Sequence, residues 1–269
     1  SDFDGLDLHL AEDLNVAKGG EIRVISDRDQ KVQMAQHHTA THLLHEILRK
    51  QLGDHVHQAG SLVDSNRLRF DFSHFESISD KTLEIIQTDI NNLIQQELAI
   101  SISFSSLADA KKKGVLALFG EKYNVDRVRV VDIGGVSIEL CAGTHLKNSK
   151  QVECVKIISE SAISAGTRRI EALAGNNNVN AYLISKITEI QTKLLAEIKK
   201  FNQSQPKQLE SDIQKVNEFK TKQNQNAFSN LQLEEYLTFL KSFEIKLKDE
   251  LKKLAKQKGK QNQSIALEL

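Results

Sequence analysis

The chain has 269 residues, enough for about two domains, and 39% of them are hydrophobic, so it can bury a core. Its 36 basic and 36 acidic residues cancel, which excludes a blanket nucleic-acid binder and leaves any RNA contact to local patches. Two cysteines, Cys141 and Cys154, make no disulfide framework and point to a reducing, cytoplasmic setting. No apolar run approaches the ~18 residues of a membrane span, and the acidic opening SDFDGLDLHL lacks the apolar stretch of a signal peptide.

In chain order, GGEIRVIS reads as a strand after a turn. A helix follows from Met34 to Leu52, with Leu43, Leu44, Ile47, Leu48 and Leu52 as its apolar stripe and Gly53 as its stop. SLVDSNRLRFDFSH is a hairpin turning at Asp64, Ser65 and Asn66. Asp80 is expected to cap the next helix, which runs to about Leu98. AISISFSS alternates as a strand, and LADAKKKGVLALFG reads as a helix. RVRVVDI and VSIEL are strands joined at Gly134 and Gly135, and ECVKIISES and RRIEALAG are two more.

Composition changes near Gly175, where glycine almost vanishes and Lys, Gln, Asn, Leu and Glu take over. A domain boundary is expected at AGNNNVN, residues 174–180. Beyond it, Leu183, Ile187, Ile190, Leu194, Ile198 and Phe201 recur at helical spacing, as do Leu240, Phe243, Leu247, Leu251 and Leu254. The segment FNQSQPKQ, with the chain's one proline, Pro206, breaks the pattern. Two amphipathic stripes need apolar partners, so a helical hairpin or coiled coil is expected, paired within one chain or between two. The lysine-rich last turns read as a solvated face.

Four of the nine histidines fall between His37 and His45. His38 and His42 are four apart on the predicted helix, so they share a face and can reach one ion. His45 lies on the same side, and His37 points away, to the surface or behind the ligands. Alone this spacing is weak, and a zinc-protease reading fails because Thr39 stands where that motif needs glutamate. The turn CAGTH adds Cys141 and His145. Thiolate and imidazole together suit zinc, and the spacing is not that of a zinc finger. Cys154, in a strand of apolar residues, reads as a small core residue.

The stretches HHTATHLLHEILRKQLGDHVHQAGSLVDSNRLRFDFSH, ALFGEKY, ELCAGTH and GTRRIEALAG resemble, in order and spacing, the editing domain of alanyl-tRNA synthetases, from about residue 14 through Gly175. The resemblance implies an α+β fold, an antiparallel sheet wrapped around a central helix, followed by an all-α helical hairpin or coiled coil. It divides the chain into a partial β-barrel segment (1–33), a zinc-dependent editing domain (34–175) and a helical segment (176–269). It implies hydrolysis of tRNA(Ala) mischarged with serine or glycine, with Zn2+ held by His38, His42, Cys141 and His145. Thr41 and Gln58 would line the amino-acid pocket. Arg168 and Arg169 would contact RNA or, alternatively, pair with Glu171 or nearby acids.

Three positions depart from the family pattern: His37 replaces asparagine, Ala142 replaces glycine, and Thr167 replaces valine or isoleucine. The aminoacylation core is expected to lie outside this chain, which reads as a piece of a larger synthetase. The alternatives are a freestanding deacylase, a threonyl-type editing domain, or a non-catalytic tRNA-binding and dimerisation segment with structural zinc. The chemistry has a reason. A pocket built for alanine cannot refuse smaller glycine and rejects an added hydroxyl by only about a hundredfold, so a second hydrolytic site is needed.

Overall fold

A computed structural model describes residues 27–116, 124–199, 209–223 and 228–268. The expected strand at 19–26, the ALFGEKY stretch and the break at Pro206 lie outside the described residues. Helix α1 (Arg28–Leu52) starts well before Met34. Its first residues are polar, so no apolar period marks them; the cap does. The Asp27 carboxylate accepts from the amides of Asp29 and Gln30 at 2.9 and 3.2 Å, a cap that contributes about 1 kcal/mol. Gly53, with φ of 117°, ends the helix.

From Ala35 to Leu48 α1 is buried on almost every side. A helix buried all round is a core helix, so its polar side chains must find partners inside the protein. Strands β1 (Gln58–Val63) and β2 (Leu68–Ser73) form the expected hairpin. Helix α2 (Asp80–Gln95) is capped by Ser79, whose hydroxyl accepts from the Thr82 amide at 3.1 Å. Asp80 therefore sits in the first turn and is not the cap, and the helix stops at Gln95, short of Leu98.

Strand β3 (Ile100–Ser105) precedes a short helix α3 (Leu107–Lys112). The helix expected to run on through the following glycine ends there because Gly114 takes φ of +73°. Strands β4 (Val128–Ile133) and β5 (Ser137–Leu140) turn on Gly134 and Gly135 as expected. A single 3-10 turn (Ser149–Val152) leads to β6 (Val155–Ser164) and β7 (Thr167–Ala174).

The strands make two antiparallel sheets, ordered β1-β2-β7-β6 and β3-β4-β5. Helix α1 touches β1, β2 and β7 of the first and β5 of the second, with α2 along its flank. It is the central helix of an α+β fold. The core joins Leu43, Leu44 and Leu48 of α1, Phe70 and Phe72 of β2, Ile86, Ile90 and Ile94 of α2, and Val131 and Ile133 of β4. Each such buried side chain stabilises the fold by about 1.5–3 kcal/mol.

The change of composition at Gly175 coincides with the start of α4 (Asn176–Lys199), followed by α5 (Glu210–Gln223) and α6 (Asn230–Glu268). Helix α4 packs along α6. Their second core holds Leu183, Ile187 and Leu194 of α4, Val216 of α5, and Leu240, Phe243 and Leu247 of α6. Leu173 of β7 joins that cluster, and Lys156 of β6 pairs with Glu234 of α6 at 2.9 Å. The helices therefore rest on the four-stranded sheet. No described helix is long and apolar enough to cross a membrane.

Candidate metal centre

His38, His42, Cys141 and His145 converge, their ligand atoms all within 4.8 Å of one another. Helical spacing supplies the first two. Cys141 and His145 come from the turn that leaves β5. The Cys141 sulfur lies 3.3 Å from Nε2 of His38 and 3.3 Å from Nε2 of His145. Zinc bonds of ~2.3 Å to sulfur and ~2.0–2.1 Å to nitrogen, set tetrahedrally, imply an S···N spacing of about 3.5 Å. The donor set and its spacing therefore fit a tetrahedral ion of this type.

The turn is latched from both sides. The Arg129 guanidinium donates from Nη1 to the carbonyls of Cys141 and Gly143 at 2.6 and 2.8 Å. The hydroxyl oxygen of Thr39, one position past His38, accepts from the Leu146 amide at 3.3 Å and lies 3.4 Å from Nδ1 of His145. Gly143 lies hard against His38, whereas Ala142 is exposed. The departure at 142 thus falls where a methyl group is harmless.

Burial prepares the imidazoles to act as ligands. It lowers the pKa of His38 to about 4, with His42 beside it adding to the effect. It lowers that of His145 to about 2, helped by His42 and His38. It lowers that of His42 as well. All three are neutral at pH 7 and so carry a lone pair for an ion. Behind them lies Glu139. Burial acts to raise its pKa, but His42 beside it and hydrogen bonds from His45 and Ser137 outweigh burial and hold it below the usual carboxylate value.

Residues 128–171 match the model of the Threonyl and Alanyl tRNA synthetase second additional domain. The alanine–tRNA ligase of Clostridioides difficile (strain 630) is 50% identical over 160 residues, 60% of this chain and 18% of the relative. That of Thermoanaerobacter sp. (strain X514) is 45% identical over 203 residues, 75% and 22%. That of Thermotoga sp. (strain RQ2) is 38% identical over 232 residues, 86% and 26%. The chain is a homologue of alanine–tRNA ligases. It spans about a quarter or less of the length of these ligases, and the matched domain contains β4, β5 and the CAGTH turn.

The other residues singled out by the resemblance have hydrogen-bond partners outside the four ligands. Thr41 is buried on α1, and its hydroxyl donates to the His37 carbonyl at 2.8 Å. Gln58 begins β1, and its amide donates to the Ser61 hydroxyl at 3.3 Å. Among the described residues no hydrogen bond joins either side chain to the cluster. Arg168 forks onto Glu160, with Nη2 at 2.8 Å from Oε2. Arg169 forks onto Asp71, directly opposite on β2, at 2.7 and 2.8 Å. Both arginines are thus ion-paired with nearby acids, Glu160 and Asp71, while Glu171 pairs with Arg67.

His37 is fully buried, not at the surface, with Nδ1 2.9 Å from the Gln33 carbonyl. Its position on a helix buried all round explains the difference. His45 faces Glu139 and the Phe70 ring. Cys154 precedes β6, half-buried against the helical core, and burial pushes its thiol up to about 12. Three residues around the cluster carry no local sign of their part in it: Thr39, Arg129 and Glu139. Their partners are about a hundred residues away for Thr39 and Glu139, and Arg129 looks like any alternate strand position.

Proposed function

We propose that the chain is the hydrolytic editing part of an alanine–tRNA ligase, clearing tRNA(Ala) mischarged with serine or glycine. The observation that carries this reading is the convergence of His38 and His42 with Cys141 and His145, the latter two within the matched synthetase domain. The ion is proposed to be Zn2+, and when bound it supplies Lewis acidity toward the aminoacyl ester. The domain limits are proposed as 1–33, 34–175 and 176–269.

The chain's own residues have distinct proposed tasks. The three neutral imidazoles and the Cys141 thiolate hold the ion. The Arg129 and Thr39 latches keep the turn rigid around it. Thr41 and Gln58 read the serine hydroxyl: each has a free lone pair or amide hydrogen beyond its present bond. A site that hydrogen-bonds that hydroxyl favours serine over alanine, which leaves the polar groups unpaired. Arg168 and Arg169 meet the RNA backbone as members of ion-pair networks with Glu160 and Asp71. Pairing of α4 and α6 with a second copy would make a homodimer, and the setting is the cytoplasm.

A second reading has its own observation. Four protein ligands close a tetrahedral shell, as structural zinc sites do, whereas catalytic sites keep a position open. One assay separates the two. The purified chain is incubated with Ser-tRNA(Ala), Gly-tRNA(Ala) and Ala-tRNA(Ala), with and without a zinc chelator, and released amino acid is followed. Release of serine and glycine, sparing of alanine, and loss of turnover with the fold kept on chelation are expected. Unfolding on chelation without any prior turnover would favour the structural ion.

A further inference from the structure

Glu139 is 3% exposed, and its two oxygens have different neighbours. Oε1 accepts from the Ser137 hydroxyl at 3.0 Å and lies 3.1 Å from Nδ1 of His45. Oε2 lies 3.5 Å from Nδ1 of His42, an ion-pair contact and not a hydrogen bond. Ser137 and His45 therefore brace the carboxylate in one orientation. Its free oxygen is turned toward the one ligand histidine that is almost fully buried. With Nδ1 of His42 facing the carboxylate, Nε2 is the nitrogen left for an ion.

Charge gives a second argument. A divalent ion held by one thiolate and three neutral imidazoles leaves one uncompensated positive charge, and Arg129 adds another close by. A buried charge needs a partner. Among the described residues, no carboxylate other than Glu139 lies within ion-pair distance of a cluster histidine. The same anion faces the site whether or not Arg129 is counted.

We propose that Glu139 is the positioning residue of the metal centre: it fixes the His42 ring with its proton on Nδ1 and balances the charge of the bound ion. His45 is then the brace of that carboxylate and neither a ligand nor a base. Such outer partners typically change metal affinity by about 10–100-fold. The inference rests on the zinc reading above.

The test uses the purified full chain and Zn2+ itself, in competition with a colorimetric chelator, and Co2+ as a spectroscopic substitute. Wild type is expected to take up one equivalent of zinc. Glu139→Gln keeps the shape and loses the charge; it is expected to stay folded, bind zinc about 10–100-fold more weakly and shift the cobalt absorption bands. His45→Gln is expected to weaken binding in the same direction by less. If wild type takes up no zinc, the zinc reading fails and this inference with it. If wild type binds and Glu139→Gln matches it in affinity and cobalt spectrum, this inference alone fails. Should Glu139→Gln not fold, His45→Gln decides: weaker binding supports the proposal, and wild-type affinity overturns it.

Discussion

A Cβ atom at position 143 would fall 1.9 Å from Cε1 and 2.4 Å from Nδ1 of His38. Position 143 is therefore part of the wall that sets one ligand ring, although it offers no donor of its own. Gly143→Ala is expected to push the His38 ring out of line and to cost about 1–3 kcal/mol of stability, as overpacking does. Its zinc stoichiometry should fall well below that of wild type. Ala142→Gly, at the exposed neighbour, should leave stoichiometry unchanged. Elemental analysis of both purified variants checks the contrast.

The depressed imidazoles tie stability to pH with a definite sign. In the unfolded chain His38 and His145 titrate near 6.5; in the fold they titrate at about 4 and about 2, chiefly through burial. Below pH 6.5 the unfolded state binds more protons, so stability falls as pH falls. The contribution is complete above that value and is lost progressively toward pH 4. For metal-stripped protein the slope should approach, at most, about 1.4 kcal/mol per pH unit for each such histidine. Urea midpoints measured from pH 7 to pH 4 give the answer, and a flat profile would contradict the burial of these rings.

Asp71 lies almost wholly inside, with Arg169 forked onto it across β2 and β7. Removing that cation leaves the carboxylate only the longer contact with Nε of Arg69 at 3.7 Å, which costs more than removing both partners of the fork. Arg169→Ala should lower the thermal midpoint, and Asp71→Asn in the same chain should recover part of the loss. The coupling emerges from a double-mutant cycle. Midpoints that simply add would show that the pair is not a unit.

Inside the helical segment, Gln191 of α4 is buried, and its amide donates to the Tyr236 hydroxyl at 2.9 Å and toward the Val216 carbonyl at 3.4 Å. It thereby links α4, α5 and α6. Gln191→Ala leaves buried polar groups unmatched and is expected to cost about 1–3 kcal/mol. Denaturant titration should register that loss, whereas zinc content should not move.

Local chemistry makes much of this legible in the sequence. The spacing of His38 and His42 gives their shared face, the Gly134–Gly135 pair gives the β4–β5 turn, and the stripes of Leu183 and Leu240 give the packed helices. The misreadings have local causes too. Ser79 and Asp80 are both good capping residues, and only the backbone tells which one stands outside the helix. The start of α1 carries no apolar stripe, so Asp27 was the one sign of it. Glu139 was illegible for another reason: an acid in an alternating strand looks solvent-facing until α1 is laid over it. That placement is a property of the tertiary fold, not of any window of sequence.

The Cys141 thiol meets Nε2 of His38 across 103 positions of chain. A ribosome adding about 5–20 residues per second releases those two groups roughly 5–20 s apart. Throughout that interval His38 and His42 are present without the Cys141 thiol. The four donors coexist only once the chain has been made through His145. A site that needs all four donors cannot form before His145 has been added, and β6 and β7, which complete the four-stranded sheet, are made later still.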